Sequence, residues 1–355
     1  LLDQGRLQVY PREYPPTLRS DVNNEVKTLR GSWSHPSQLP LEGRGGDLRV
    51  AGYHDPVRPR SCKTVFLVVG AIFLAAFVGT PSSGAAEVSF GGARPFRLFV
   101  PSTYNAAFPA PLIISLHGYA QSGDKFEKYL KLTPVAEARG ILYVHPDGTA
   151  DKSGTRFWNA TPECCDIHKP KVDDNGYLTS IIDQISKSYS VDPDRIYIIG
   201  HSNGGFMANT MACLHADRFA AVVSLAGGGY AKSSMCKPSS PINILEVWGT
   251  KDVTFTGNHM MGKFVPGAVK TAAIWGALDH CSKTTYVLPQ KLDLDSKQKG
   301  SETTQRQYTE CKDNADVEFW TIAGAPHVPT LSKNFTVDIV DFLLAHPKVI
   351  SLQSG

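Results

Sequence analysis

Thirteen residues, Arg195-Ile-Tyr-Ile-Ile-Gly200-His201-Ser202-Asn203-Gly204-Gly205-Phe206-Met207, constrain the possible fold of this chain more than any other stretch. The β-branched apolar run reads as a buried strand and the residues from Gly204 read as a helix, which puts Gly-x-Ser-x-Gly on a strand-to-helix turn. So sharp a turn leaves no room for side chains beside the serine, which accounts for Gly200 and Gly204. It also lifts the Ser202 hydroxyl off the end of the sheet, where the N–H groups of the following helix face a developing anion. Ser202 is the candidate nucleophile.

A serine hydroxyl needs a base to take its proton and an acid to orient that base. Asp252 follows the apolar run Asn243–Trp248 in Gly249-Thr-Lys-Asp252, and His327 follows Val317–Ile322 in Ala323-Gly-Ala-Pro-His327. Both lie just past the carboxyl end of an expected strand, and the order Ser202, Asp252, His327 is that of the α/β-hydrolases. His168, His259 and His280 follow no clear strand, and His201 stands too close to Ser202 to reach back as its base. The oxyanion donors are expected from the backbone N–H groups of Asn203 and of Tyr119, which Gly118 turns toward the site in Leu116-His117-Gly118-Tyr119. His117 reads as a hydrogen-bonding structural residue. Trp158 and His201 are the candidate substrate-binding residues; Trp158 could stack on a phenolic acyl group or a sugar, or equally pin its loop to the core.

Further apolar runs at 96–100, 112–116, 141–145 and 221–225 alternate with helix-like spacing at 126–138, 175–189, 204–214, 268–278 and 337–345. This predicts an α/β fold with a mostly parallel central sheet, helices on both faces, in a single domain. Asp173 and Asp174 read as caps of the helix near Asn175. Residues 283–313, polar and bounded by Cys281 and Cys311, read as a surface excursion.

The front of the chain reads as processing signal. Residues 1–56 show no sustained apolar period and are expected to be disordered or untranslated, since no Met precedes Met207 and Val57 could mark an alternative start. Residues 57–86 have the basic, apolar and small-residue parts of a secretory signal, with cleavage expected after Ala86. The apolar run 65–78 is shorter than the ~18–20 residues that span a bilayer, so no stable membrane anchor is expected. Residues 87–355 would be the exported catalytic domain, extracellular or periplasmic.

Six cysteines beyond the signal suit an exported, disulfide-bonded chain. Closeness in sequence suggests Cys213–Cys236 and Cys281–Cys311, which leaves adjacent Cys164 and Cys165 to bond each other or to break the scheme. With 42% hydrophobic and 19% charged residues, the chain is neither globally disordered nor a coiled coil. Residues 1–86 carry 10 Lys/Arg against 7 Asp/Glu and the rest carries 26 of each, so no nucleic-acid footprint is expected.

Taken together, LHGYAQSG, FWNATPECCD, VDDNGYL, GHSNGGFMA, VSLAGG, WGTKD and GAPHVP resemble the secreted esterase family of poly(3-hydroxybutyrate) depolymerases, which is similar to feruloyl and acetylxylan esterases. The resemblance covers nearly all of residues 87–348. It implies an α/β-hydrolase fold, a triad of Ser202, Asp252 and His327, and ester hydrolysis through an acyl-enzyme. That mechanism requires no metal or organic cofactor, the expected partner is a polymeric or small ester substrate, and the oligomeric state is open, with a monomer expected. A serine peptidase of the same fold and an inactive secreted binding protein are the alternatives.

Overall fold

The structure, a computed structural model, describes residues 84–165, 172–254, 259–260 and 263–348. All of them belong to one compact unit, Phe77–Gly355. The expectations for residues 1–56 and for the signal up to position 83 lie outside the described residues, as does His168.

Among the described residues, ten strands form one sheet. In chain order they begin with β1 (Ala86–Phe90), β2 (Phe96–Val100), β3 (Ala110–Leu116) and β4 (Leu142–Val144). A two-stranded hairpin, β5 (Thr149–Ala150) and β6 (Arg156–Phe157), stands apart from the sheet, which resumes with β7 (Val191–His201), β8 (Ala221–Leu225) and β9 (Asn243–Gly249). A second small hairpin, β10 (His259–Met260) and β11 (Lys263–Phe264), precedes β12 (Thr285–Val287), β13 (Thr303–Tyr308) and β14 (Val317–Ile322). The order across the sheet is β1-β2-β4-β3-β7-β8-β9-β14-β13-β12. The six central strands from β4 to β14 run parallel, and an antiparallel pair flanks them on each side.

The central strands are apolar throughout because both of their faces are covered. Every residue of β3 and of β8 is buried. Side chains alternate between two cores: Leu112, Ile114, Ile196 and Ile198 point to one, Ile113, Tyr197, Ile199 and Val223 to the other. Helices α3 (Asp174–Ser188), α4 (Asn203–Leu214) and α5 (Ala268–Leu278) cover the first core. The second lies under α1 (Gly123–Leu130), α2 (Leu132–Arg139) and α6 (Phe335–Ala345). Each fully buried Leu or Ile contributes about 1.5–3 kcal/mol, so the two cores hold the sheet rigid beneath the loops at its edge.

Two expectations need correction. The helix expected over 126–138 is two helices, broken where Lys131 adopts φ 54°, ψ 46°. The polar excursion 283–313 is not purely surface: it supplies β12 and β13, and buries Leu294 and Thr303. The cysteine pairs are Cys164–Cys165, Cys213–Cys236 and Cys281–Cys311. Asp173 caps α3, accepting from the Gly176 N–H at 2.7 Å.

Because β3, β7, β9 and β14 are parallel, the loops that follow them emerge at one edge of the sheet. The chain departs in opposite directions from neighbouring β3 and β7, the arrangement that opens a crevice at the carboxyl ends of an α/β sheet.

Candidate active site

Ser202 sits between β7 and α4 at φ 55°, ψ −118°, a backbone conformation that costs a side-chain-bearing residue about 1–3 kcal/mol. Two glycines make the turn possible. A Cβ on Gly200 would strike the Gly204 carbonyl, and one on Gly204 would strike the carbonyls of Leu116 and His117. The Ser202 N–H donates to the Leu225 carbonyl on β8 at 2.9 Å, which pins the turn to the sheet.

His327 and Asp252 complete a line of hydrogen bonds. With the imidazole neutral and protonated at Nδ1, His327 Nδ1–H donates to Asp252 Oδ2 at 2.9 Å, and the Ser202 hydroxyl donates to His327 Nε2 at 2.9 Å. The Asp252 side chain is wholly buried, while that of His327 is 22% exposed. Asp252 Oδ1 accepts from the Thr254 N–H at 2.8 Å, so the carboxylate is held in two directions. Gly249 matters here too, since a Cβ would strike the Ala325 carbonyl and push the two loops apart.

At the start of α4 the Asn203 N–H has no intrahelical acceptor and lies next to the nucleophile. On the loop after β3, His117 governs a second donor. Its Nε2 accepts from the Gly148 N–H at 2.9 Å, which leaves the proton on Nδ1, and Nδ1–H donates to the Gly118 carbonyl at 2.7 Å. In a trans peptide the C=O and the next N–H point in opposite directions. Drawing the Gly118 carbonyl toward the imidazole therefore turns the Tyr119 N–H away from it. Burial lowers the His117 pKa, keeping it neutral for this task.

A strained serine between a parallel strand and a helix, with an aspartate and then a histidine arriving from later strands to complete its hydrogen-bonded line, decides the architecture. The chain has the α/β-hydrolase fold. The model of the prolyl oligopeptidase family matches residues 123–259, a stretch that includes Ser202 and Asp252. Over 230 residues the chain is 29% identical to feruloyl esterase B of Piromyces equi, covering 64% of this chain and 41% of that protein. It is 24% identical over 229 residues to poly(3-hydroxyalkanoate) depolymerase C of Paucimonas lemoignei, covering 62% and 49%. An acetyl xylan esterase structure from Aspergillus awamori aligns at TM-score 0.49 and 14% identity over 73% of this chain and 99% of that one. The relatives include, as expected, feruloyl esterases, acetylxylan esterases and a polyhydroxyalkanoate depolymerase. The chain spans about half or less of the length of these esterase and depolymerase relatives.

Within this fold, both candidate substrate-binding residues prove to be internal. Trp158 is fully buried, so its indole offers no open face for a sugar or phenolic ring. Its Nε1–H donates to the His117 carbonyl at 3.0 Å, and its main chain pairs with the Asn203 side chain. His201 is 5% exposed, its ring stacked on Phe126 and tilted against Tyr129 and His327. Its Nε2–H donates to the His327 carbonyl at 3.2 Å, and the Tyr129 hydroxyl donates to the Pro329 carbonyl at 2.8 Å, so the two residues together hold the loop that bears His327. Burial lowers the His201 pKa to about 4.

Two contributors were not expected from sequence. The Asn203 side chain was overlooked beside its own backbone N–H. Asp174, read as a cap, is buried and accepts from Arg94 Nη1 (2.5 Å), the Thr149 hydroxyl (3.0 Å) and the Asn159 N–H (2.7 Å), anchoring the Trp158 loop. The signal was the doublet itself: one carboxylate suffices to cap a helix, which leaves the second free for another task.

Proposed function

We propose that the chain is a secreted serine carboxylic-ester hydrolase that works through an acyl-enzyme. The observation that carries this reading is the unbroken line Ser202–His327–Asp252, with 2.9 Å at each step and a buried carboxylate at its end. His327 takes the Ser202 proton as the hydroxyl attacks the ester carbonyl, and Asp252 stabilises the imidazolium. The Tyr119 and Asn203 N–H groups receive the oxyanion. His327 then protonates the leaving alcohol and activates the water that releases the acid.

The substrate class is a hydroxyalkanoate polyester or a feruloyl- or acetyl-substituted polysaccharide, supported by the names of the relatives. Export is supported by the basic and apolar segment at residues 57–86 and by three cysteine pairs, with the catalytic domain running from residue 87. The match to the prolyl oligopeptidase family favours one further reading, a serine peptidase built on the same site.

A fluorophosphonate label and p-nitrophenyl acetate test the site. The chain should be labelled and should turn over the ester, and Ser202→Ala should abolish both; turnover retained by Ser202→Ala refutes the assignment, and an unlabelled wild-type chain indicates an inactive binding protein. Parallel assays on methyl ferulate, acetylated xylan, a poly(3-hydroxybutyrate) suspension and a prolyl peptide then separate the ester classes from the peptidase.

A further inference from the structure

The proposed reaction requires two N–H groups on separate segments, Tyr119 after β3 and Asn203 at the start of α4, to converge on a single oxygen. The hydrogen bonds among Ser202, His327 and Asp252 do not set the spacing between those donors. Trp158 does connect the two segments. Its indole N–H donates to the His117 carbonyl at 3.0 Å, its backbone N–H donates to Asn203 Oδ1 at 2.7 Å, and its own carbonyl accepts from Asn203 Nδ2 at 2.9 Å. One side chain thus grips the oxyanion loop while the main chain of the same residue grips the elbow helix.

The surroundings make this connection stiff. A Cβ at Gly204 would strike the Leu116 and His117 carbonyls, so the start of α4 touches the end of β3 with no side chain between them. The indole is fully buried, with its ring centroid 5.3 Å from the His117 ring and 5.8 Å from the Arg94 guanidinium. The residue after it is fixed through the Asn159 N–H to Asp174. Orientation passes on from the His117 carbonyl through the His117 imidazole to the Gly118 carbonyl, and so to the Tyr119 N–H.

We propose that Trp158 is a positioning residue of the oxyanion site, its indole N–H and its paired amides with Asn203 setting the separation of the Tyr119 and Asn203 donors. The inference rests on the serine-hydrolase reading above. A large apolar ring would not serve equally, because without the indole donor the His117 carbonyl is left buried and unpaired. The oxyanion exists only after attack, so misplaced donors slow the chemical step and leave substrate binding almost unchanged.

The test is Trp158→Phe in the full chain, which retains an aromatic ring and loses the donor. With p-nitrophenyl acetate, kcat should fall about 10- to 100-fold, the scale expected for a displacement near 1 Å, while KM stays within about twofold. Affinity for phenylboronic acid, which forms a tetrahedral adduct on Ser202, should fall in parallel with kcat/KM. Asn203→Ser keeps the backbone N–H but removes the amide pair, so it should give the same split and serves as the reading if the phenylalanine variant does not fold. A folded Trp158→Phe protein with wild-type kcat and wild-type boronate affinity, or with a change in KM alone, overturns the proposal. If in that case Ser202→Ala is still inactive, the hydrolase reading stands without this inference; a wild-type chain inert to fluorophosphonate overturns both.

Discussion

The N–H of Lys251 donates to the carbonyl of Ala325 at 2.9 Å, joining the acid-bearing loop to the base-bearing loop one residue before Asp252 and two before His327. The Thr250 N–H to the Ile322 carbonyl at 3.0 Å, and the Gly324 N–H to Thr250 Oγ1 at 2.8 Å, continue the same stitching. The parallel pairing of β9 with β14 is in effect carried past the ends of both strands, so the Asp252–His327 separation is inherited from the sheet.

Asp252→Asn should therefore preserve the geometry and lose the chemistry. An amide facing His327 Nδ1 favours the tautomer with the proton on Nε2, which cannot accept from Ser202. Steady-state kinetics at neutral pH should show kcat lower by about 10⁴-fold with a smaller change in KM. An unchanged kcat would mean that Asp252 does not orient the base.

Gly204→Ala tests the close approach behind the nucleophile. The added methyl meets two backbone carbonyls, neither of which can rotate away as a side chain would. Urea denaturation should show a loss of about 3 kcal/mol or more, large for the addition of one carbon. Gly300→Ala is a useful contrast: its φ of 71° strains an alanine, but no atom lies within 4 Å, so it should cost about 1 kcal/mol.

His201 predicts an acid-side loss of stability. Burial lowers its pKa from 6.5 to about 4 in the folded chain, so between those values the unfolded chain takes up a proton that the folded chain refuses. Stability is complete above pH 6.5 and falls toward pH 4, by on the order of 3 kcal/mol from this residue. His117 acts in the same direction. His201→Gln can keep a donor to the His327 carbonyl and does not titrate, so unfolding measured from pH 7.5 down to 4.5 should show a shallower loss than wild type.

Glu246 has the opposite sign. It is fully buried on β9, accepts from Asn209 Nδ2 at 2.8 Å, and burial raises its pKa from 4.5 to about 8. The unfolded chain ionises first, so folding loses stability as pH rises from 4.5 to about 8, on the order of 5 kcal/mol in all. Glu246→Gln can keep the Asn209 bond and removes that titration. Its melting temperature relative to wild type should rise between pH 5 and pH 8; equal shifts at both would show that the carboxyl is ionised in the folded chain.

What could be read in the sequence was whatever repeated in the right period or carried chemistry at a turn. Strands Phe96–Val100, Ala221–Leu225 and Val317–Ile322 have the expected bounds because burial on both faces leaves continuous apolar runs. Thr303–Tyr308 was missed because a strand near the sheet's edge can be polar, and TTQRQY looks like a loop. The break at Lys131 carries no glycine, although Pro134 in the first turn of α2 was a usable sign of a new helix start. Ser202, Asp252 and His327 stood out because each follows a strand. Trp158 was a candidate for stacking on substrate or for pinning its loop, and His201 a candidate substrate-binding residue; chain position cannot reveal that Asn203, Tyr129 and Phe126 enclose them.

Burying Trp158 divides the site into parts that can and cannot vary. The inner frame spends its hydrogen bonds on itself, whereas Tyr119, and Val253 and Val328 beside Asp252 and His327 in the chain, are 36%, 83% and 49% exposed. Substitution at these three positions therefore disturbs few contacts, whereas a change in the inner frame must repack what Trp158 and Asn203 hold together.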